Sequence, residues 1–260
     1  MNGKRCGLAE EVLRTDGVTK IFGAFKAVDG VSIKLEAGAI TLLAGPNGSG
    51  KTTLANIISG YYRPEAGHVY LHGKDITGLT MNKVYGLGLV RTFQIPAPFA
   101  KLSVLENLLV AARDNPGDSF LGYLNWKAWS KCDDRNSATA QDILREIGLA
   151  ELQDREAGTL SAGHLKLLEI ARAIMAGAKM VILDEPIAGI NPKLAHEVFV
   201  HIVDMNKKFG LTFLIIEHRL DIALGYVRHA YVMNDGKLIY DGTADGVLTD
   251  AEVKRVYLGA

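Results

Sequence analysis

Residues 45–53 read GPNGSGKTT, and this stretch decides what the rest of the chain folds around. It matches the pattern G-x-x-x-x-G-K-[ST] of a phosphate-binding loop. The fixed positions of the pattern are filled by Gly45, Gly50, Lys51 and Thr52. The run AITLLA (39–44) before the loop has the length of a buried strand, and TLANIISG (53–60) after it has helical spacing and ends on a glycine. Strand, glycine-rich loop and helix in this order predict a nucleotide-binding core.

The residues of the loop have the chemistry that binding phosphate requires. Glycine has no Cβ, so the backbone can wrap closely around an anion, and the helix that follows directs free N–H groups at it. Lys51 is expected to neutralise phosphate charge, and the Thr52 hydroxyl is expected to bind Mg²⁺. The whole loop is predicted to contact the nucleotide through Gly45, Pro46, Asn47, Gly48, Ser49, Gly50, Lys51, Thr52 and Thr53.

The composition gives the chain no global attraction to nucleic acid or anionic lipid. It has 260 residues, 29 basic and 29 acidic, with a formal net charge of +0. Its cysteines, Cys6 and Cys132, lie far apart, so no disulfide framework is expected. Residues 1–12 lack the apolar region of a secretory signal, and no window reaches the roughly 18 apolar residues that span a bilayer. We therefore expect a soluble, cytoplasmic chain whose membrane role comes through a partner.

The chain before and after the loop alternates between strand and helix patterns. Residues 12–38 are β-prone runs that contain Asp-Gly pairs, which predicts antiparallel strands joined by turns at those pairs. Two prolines at 95–99 mark a change of composition, and helical patterns follow at 103–113 and 137–149. Ser103 and Glu106 form a candidate capping box at the start of the first. These patterns predict a helical insert between two β-containing parts.

Two further apolar runs predict strands of a parallel sheet with helices on both faces. They are MVILDEP (180–186) and TFLIIEH (212–218), and each ends in polar residues. Ligands of such sheets bind beyond the carboxyl ends of the strands. The phosphate loop, Asp184-Glu185 and Glu217-His218 are therefore expected to meet at one site.

Polar residues near these strand ends are candidates for the chemistry. Asp184 is expected to hold Mg²⁺ through water, and Glu185 to act on the attacking water as a general base or orienting group. Gln94 could bind Mg²⁺ or water, or be an ordinary loop glutamine. His218 could contact the γ-phosphate, or be structural. Phe22 could stack on adenine or lie in the core.

The order of these motifs resembles that of the ATP-binding cassette (ABC) ATPases. The motifs are GPNGSGKTT, Gln94, LSAGH (160–164), VILDEP (181–186), IAGINP (187–192) and His218. LSAGH resembles the LSGGQ signature, which is specific to that family, whereas many NTPases have a phosphate loop. VRTFQ (90–94), SVLENLLVA (103–111), DEPIAGINP (184–192), LIIEHRLDI (214–222) and VYLG (256–259) look closest to the ATPase subunits of branched-chain amino-acid importers, the LivG type.

The resemblance implies an α/β fold, a P-loop NTPase cassette of the ABC type. It has a mostly parallel core sheet with helices on both faces, an antiparallel β layer and a helical subdomain. Residues 1–94 would hold the antiparallel layer and the first part of the core with the phosphate loop. Residues 95–177 would form the helical subdomain with the signature, and 178–260 the rest of the core and the C-terminal helix.

The resemblance also implies a head-to-tail dimer with ATP and Mg²⁺ between the phosphate loop of one cassette and the signature of the other. The signature residues acting in trans would be Ser161, Ala162, Gly163 and His164. Phe22 would take the adenine-stacking position, and Ala188–Asn191 would cross the dimer. Catalytic roles would fall to Glu185, His218 and Gln94, and metal binding to Thr52, Gln94 and Asp184.

The partners implied by the resemblance are a second ABC ATPase subunit, identical or a sister chain, and the integral membrane permease. A substrate-binding protein would be an indirect partner, and nucleic acid none. The helical insert and the segment after Gln94 would receive a cytoplasmic helix of the permease. The chain would then lie peripherally on the inner face of the cell membrane and drive import by hydrolysing ATP.

Three departures from the family pattern leave other functions open. Ala162 replaces the first signature glycine, His164 replaces the glutamine, and Asn191 stands where many relatives have aspartate. The first two concern the rate of hydrolysis, and Asn191 concerns communication across the dimer. One alternative is a soluble ABC ATPase of DNA repair or translation, although the single cassette and neutral charge disfavour it. Another is a regulatory module that binds ATP without hydrolysing it.

Overall fold

The computed structural model describes residues 10–92, 97–113 and 126–258, with the backbone alone at 126–133 and 258. Its strands are β1 (Glu11–Phe22), β2 (Phe25–Val31), β3 (Lys34–Glu36), β4 (Ile40–Ala44), β5 (Ala66–Leu71), β6 (Lys74–Asp75), β7 (Leu89–Arg91), β8 (Met180–Asp184), β9 (Thr212–Glu217), β10 (His229–Asn234) and β11 (Lys237–Thr243). Its helices are α1 (Lys51–Ile58), α2 (Met81–Gly86), α3 (Val104–Ala111), α4 (Trp126–Glu146), α5 (Ala162–Met175), α6 (Pro192–Phe209), α7 (Leu220–Ala223), α8 (Ala244–Val247) and α9 (Ala251–Leu258).

The core sheet has the order β11-β10-β4-β9-β8-β7. Every pair from β10 to β7 is parallel, and β11 closes the opposite edge as an antiparallel hairpin with β10. The predicted parallel sheet is therefore confirmed. Since β4, β8 and β9 run in the same direction, their carboxyl ends lie at one edge, where the phosphate loop begins.

Both faces of this sheet are covered, which explains why its strands are continuous apolar runs. In β8, Val181 and Leu183 pack into a cluster with α3, α4, α5 and α6. Met180 and Ile182, which point to the other face, pack into a second cluster with α1 and the antiparallel layer. The core thus lies on both sides of the sheet and holds the strand ends rigidly.

The second sheet is antiparallel, with the order β2-β1-β5-β6 and β3 paired to β1. The predicted strands are confirmed, but the prediction of turns at the Asp-Gly pairs was wrong. Asp16-Gly17 lies inside β1 and Asp29-Gly30 inside β2, next to shifts of register. Gly17 and Gly30 have φ of 56° and 70°, as a glycine at a β-bulge can. The chain instead reverses between β1 and β2 at Gly23, where φ is 61°.

In the helical part, the start of α3 agrees with its sequence signal, whereas α4 begins earlier than its pattern predicts. The Ser103 Oγ accepts a hydrogen bond from the Glu106 N–H at 3.1 Å, and the Glu106 carboxylate accepts one from the Ser103 N–H at 2.7 Å. The predicted capping box of α3 is therefore confirmed. The predicted helix at 137–149 instead begins at Trp126. No helix in the described ranges is long and apolar enough to cross a membrane.

Candidate functional site

The phosphate loop joins β4 to α1, and two of its glycines are held against neighbouring backbone. A Cβ at Gly45 would lie 2.3 Å from the carbonyl oxygen of Met233. A Cβ at Gly50 would lie 2.3 Å from the carbonyl oxygen of Ala27. Their φ angles of 148° and 101° are also ones that L side chains rarely adopt. Both positions therefore require glycine for steric and conformational reasons, independently of any ligand.

The side chain of Lys51 is buried within the loop. Its Nζ donates to the carbonyl oxygens of Gly45 and Pro46, both at 2.8 Å, and to the Ser49 Oγ at 3.3 Å. Burial lowers the pKa of the Lys51 ammonium, while the charges of Glu185 and Asp184 oppose this shift. A positive charge is thus held inside the loop, close to the acidic strand ends.

A cleft of about 290 Å³ opens above the loop. It is lined by Phe22, Phe25, Ala27, Asn47, Gly48, Ser49, Gly50, Lys51, Thr52, Thr53 and Glu185. The loop and Glu185, which are far apart in sequence, therefore share one cavity. The cleft is polar along the loop and aromatic at the β1–β2 hairpin, which suits a ligand with an anionic end and a planar apolar end.

The aromatic end of the cleft contains two phenylalanines. Phe22 is 43% exposed and Phe25 is 61% exposed, so neither belongs to the core. Phe22 packs edge to face against Tyr62, with ring centroids 5.3 Å apart. The core alternative for Phe22 is therefore wrong, and its contact with adenine stays a prediction. Sequence reasoning missed Phe25, although its place three residues beyond Phe22, across the turn, was a usable signal.

Asp184, the last residue of β8, is buried beside the loop and paired with an arginine. Its Oδ2 accepts a hydrogen bond from Nη2 of Arg91 at 2.6 Å. Nη1 of Arg91 donates to Oδ1 of Asn56 in α1 at 2.5 Å. The arginine thus joins the ends of β7 and β8 to the helix that follows the phosphate loop. Sequence analysis did not single out Arg91, because nothing local indicates which acid it reaches.

Glu185 and His218 follow the ends of adjacent strands and approach each other. Glu185 has a φ of 48°, which is uncommon for a residue with a side chain, and this turns the chain sharply after β8. Its N–H still donates to the Ile216 carbonyl at 2.9 Å, so the turn is held by β9. Nδ1 of His218 lies 3.7 Å from Oε1 of Glu185, which is beyond direct hydrogen-bond distance.

Glu217 is a fully buried carboxylate directly before His218. It accepts hydrogen bonds from the backbone N–H of Ile187 at 3.1 Å and of His218 at 3.2 Å. Burial raises the pKa of the Glu217 carboxyl, and these backbone hydrogen bonds oppose the shift. Glu217 therefore links the loop after β8 to the loop after β9. An acid at the end of an apolar strand was the sequence signal for it.

The signature residues lie at the start of α5 and outside the cleft of their own chain. Ser161 caps the helix, and its Oγ accepts the His164 N–H at 3.3 Å. Ser161 and Ala162 are exposed, whereas Gly163 is buried against Leu194 of α6. None of 161–164 is among the cleft-lining residues. The structure thus joins the phosphate loop, Glu185 and His218 in one region and places the signature outside the cleft. Gln94 lies outside the described residues.

Known proteins resemble this chain in sequence and in structure. Residues 28–188 match the family model described as ABC transporter. The probable branched-chain amino acid transport ATP-binding protein LivG of Methanocaldococcus jannaschii is 48% identical, over 96% of this chain and 98% of its own length. The chain belongs to the ABC transporter family. Its resemblance to the LivG type is confirmed as well, since BraF of Pseudomonas aeruginosa, a high-affinity branched-chain amino acid transport ATP-binding protein, is 36% identical over 97% of this chain and 99% of BraF.

Solved structures confirm the predicted fold class. The ADP conformation of an ATP-binding cassette of an ABC transporter aligns with a TM-score of 0.83 at 47% identity, over 96% of this chain and 99% of that one. The protein is thus an ABC-type ATPase, built as a P-loop cassette. The Thr52 hydroxyl and the Asp184 carboxylate are hard oxygen donors of the kind Mg²⁺ prefers, and the glycine cradle fits triphosphate oxygens. The residues therefore fit Mg-ATP.

Proposed function

We propose that this chain is the ATP-hydrolysing subunit of an importer that takes up branched-chain amino acids through a membrane permease. The observation that carries the proposal is that Glu185 lines the same cleft as the phosphate loop. A nucleotide bound there has a carboxylate at hand for hydrolysis. The names of the relatives from Methanocaldococcus jannaschii and Pseudomonas aeruginosa support the cargo, since both refer to branched-chain amino acid transport.

Nucleotide binding would be divided between the two ends of the cleft. Phe22 would stack on the adenine, with Phe25 available beside it on the hairpin. The backbone N–H groups of 45–53 and the start of α1 would surround the phosphates. Thr52, Asp184 and Gln94 would hold Mg²⁺, which when bound neutralises charge on the β- and γ-phosphates.

Hydrolysis would depend on three side chains. Glu185 would take a proton from the attacking water as general base, or orient that water for attack on the γ-phosphate. His218 would donate a hydrogen bond to the γ-phosphate from its place 3.7 Å from Glu185. Gln94 would orient the water through its amide. Glu217 supports this arrangement from behind, because its buried carboxylate holds the backbone of both neighbouring loops.

A second cassette would complete the site. Ser161, Ala162, Gly163 and His164 of that cassette would face the γ-phosphate, with the start of α5 aimed at the anion. The exposed position of Ser161 and Ala162 supports this role in trans. The loop Ala188–Asn191 would cross between the two cassettes. The dimer would engage the permease through the helical insert and the segment after Gln94, which would keep the chain on the inner face of the membrane.

The decisive experiment replaces Glu185 by glutamine. The variant loses the base and keeps the shape of the side chain, so ATP affinity should stay within about twofold while hydrolysis falls by about 100-fold or more. An ATP-bound dimer should accumulate in size-exclusion chromatography. Glu252→Gln, an exposed change in α9, is the matched control and should hydrolyse ATP normally. Unchanged turnover in Glu185→Gln would remove Glu185 from the reaction.

The cargo and partners need a separate test. Purification of the tagged chain from native membranes should recover a permease in stoichiometric amount. The complex reconstituted in vesicles should then transport radiolabelled leucine, isoleucine or valine when ATP is supplied on the side of the membrane where this chain lies. If the chain is recovered with a permease that transports none of these amino acids, its role in an importer stands and branched-chain amino acids are excluded as the cargo.

The altered signature supports a second candidate function, that of a regulatory module that binds ATP without hydrolysing it. Ala162 and His164 motivate it, because these side chains would contact the γ-phosphate region in trans. A steady-state phosphate-release assay separates the two functions. Release by the wild-type chain that disappears in Glu185→Gln supports the ATPase, and absence of release from both supports the module.

A further inference from the structure

Arg91 is the one arginine described above that reaches a proposed metal ligand. Nη2 donates to Oδ2 of Asp184 at 2.6 Å, and the two side chains are only 15% and 8% exposed. Nη1 donates to Oδ1 of Asn56 at 2.5 Å. Nε is buried without a hydrogen-bond partner among the described residues. Two nitrogens of the guanidinium are thus hydrogen-bonded, and the third has no hydrogen-bond partner among the described residues.

The guanidinium places a positive charge beside the carboxylate that is expected to hold Mg²⁺. A carboxylate in a largely buried place can accept an arginine or coordinate hydrated Mg²⁺, but a second positive charge a few ångströms away is repelled by the first. Mg²⁺ also retains several waters in near-octahedral geometry, and these need the space beside the carboxylate. Exchange of one positive partner for the other at Asp184 would relieve this repulsion when Mg-ATP binds.

The element that carries Arg91 is suited to respond to such an exchange. β7 has three residues and is the edge strand of the core sheet, where it pairs with β8 through Arg91 and Ile182. A short edge strand has hydrogen bonds on one side alone, so it moves more readily than β8 or β9. Nη1 already donates to Asn56, and this bond can hold the guanidinium once Asp184 is engaged elsewhere.

We propose that Arg91 is a positioning residue that competes with Mg²⁺ for Asp184, so that binding of Mg-ATP releases its guanidinium from the carboxylate and thereby reports the occupied site to β7. The inference rests on the proposed role of Asp184 in binding Mg-ATP. Competition by Arg91 makes the affinity for Mg-ATP lower than the loop alone would allow. A site whose competent form is only partly populated binds more weakly by that fraction.

The test compares ATP affinity with and without Mg²⁺, measured by calorimetry in the Glu185→Gln background to prevent turnover. Arg91→Met keeps the apolar stem and removes the charge. Its Mg-ATP affinity should rise about tenfold, as for a competent state populated at about one tenth, while its affinity for ATP in EDTA should stay unchanged. Arg255→Met, an exposed arginine in α9, is the control and should change neither affinity. Equal preference for Mg²⁺ in Arg91→Met and the parent, or a loss of that preference, would overturn the competition.

A second measurement does not depend on the folding of an Arg91 variant. In the Glu185→Gln chain labelled with ¹⁵N-arginine, the side-chain resonances of Arg91 should shift with Mg-ATP and stay in place with ATP in EDTA. Resonances that respond identically to both would refute the proposal. The two hypotheses also fail differently: without any binding of Mg-ATP the proposed function falls, whereas normal binding with a static Arg91 removes the competition alone.

Discussion

At the scale of single residues, Lys51 shows how the loop is prepared for an anion. Its ammonium is satisfied by three oxygens of the loop itself, so the positive charge stays in place although the side chain is buried. Removing it deletes a charged donor at the phosphates, and such bonds contribute about 1.5–3 kcal/mol each. We expect Lys51→Ala to weaken ATP binding by about 10- to 100-fold. Calorimetry checks this, with exposed Lys254→Ala as control, and wild-type affinity in Lys51→Ala would contradict it.

Ala162 and Gly163 differ in what a methyl group does at each position. Ala162 opens α5 and is exposed, so its methyl fits a helical backbone. A Cβ at Gly163 would lie 2.6–2.7 Å from the side chain of Leu194 in α6. Leu194 also donates its N–H to the Asn191 cap, at 2.9 Å, so a shift there would disturb the loop expected to cross the dimer.

Gly163→Ala should therefore lower thermal stability by several degrees, corresponding to about 1–3 kcal/mol of overpacking. It should also reduce ATP-dependent dimerisation more than ATP binding. Gly86→Ala is the matched control, because a Cβ there meets nothing within 4 Å and its φ is not positive. Differential scanning calorimetry measures the melting temperatures of the two variants. Equal melting temperatures would show that Leu194 adapts without cost.

At the scale of elements, β10 connects the two sheets through one side chain. The buried Tyr231 hydroxyl accepts the Lys34 N–H at 3.0 Å and donates to the Lys34 carbonyl at 2.9 Å, which links the core sheet to β3. Burial raises the pKa of Tyr231 above its ordinary value of 10.0. The raised pKa means that the neutral phenol stabilises the fold below about pH 10, and that this contribution is lost as the pH rises through the folded-state pKa.

Tyr231→Phe should cost about 1 kcal/mol in the free energy of unfolding near neutral pH, since it leaves both Lys34 backbone groups unpaired. The difference from wild type should shrink above about pH 10, because phenylalanine has no proton to lose. Urea denaturation at about pH 8 and about pH 11 measures this, with exposed Tyr61→Phe as control. A difference that is the same at both pH values would exclude titration of Tyr231 as its source.

The elements that sequence reasoning found share one property, which is that their signals are local. The strand–loop–helix around 45–53, the buried runs at 180–186 and 212–218 and the capping box at Ser103 depend on spacing over a few residues. The Asp-Gly turns predicted within 12–38 were wrong because the same dipeptide serves at a bulge, and only the partner strand distinguishes the two. α2 was missed because its six residues carry too short a pattern.

At the scale of the whole molecule, the cleft of one chain contains only part of the proposed site. Phosphate loop and Glu185 lie together, whereas 161–164 are absent from the described lining. Turnover per chain should therefore increase with protein concentration, so that total ATPase activity rises more steeply than linearly below the dimer dissociation constant. Phosphate release over a dilution series, read beside sedimentation velocity, checks this. Activity strictly proportional to concentration would mean that a single chain suffices.

The amino-acid sequence alone specified the family, the parallel sheet and the order of the motifs, because spacing and hydrophobic period are written within short stretches of chain. The partners of the site side chains depended on the tertiary structure. Arg91 and Asp184 are 93 residues apart, and Glu217 and Ile187 are 30 apart, yet each pair meets because packed parallel strands bring their ends to one edge. The tertiary structure also decided which side chains are buried. Phe22 is exposed and lines the cleft, whereas Glu217 is fully buried and holds the backbone of two loops.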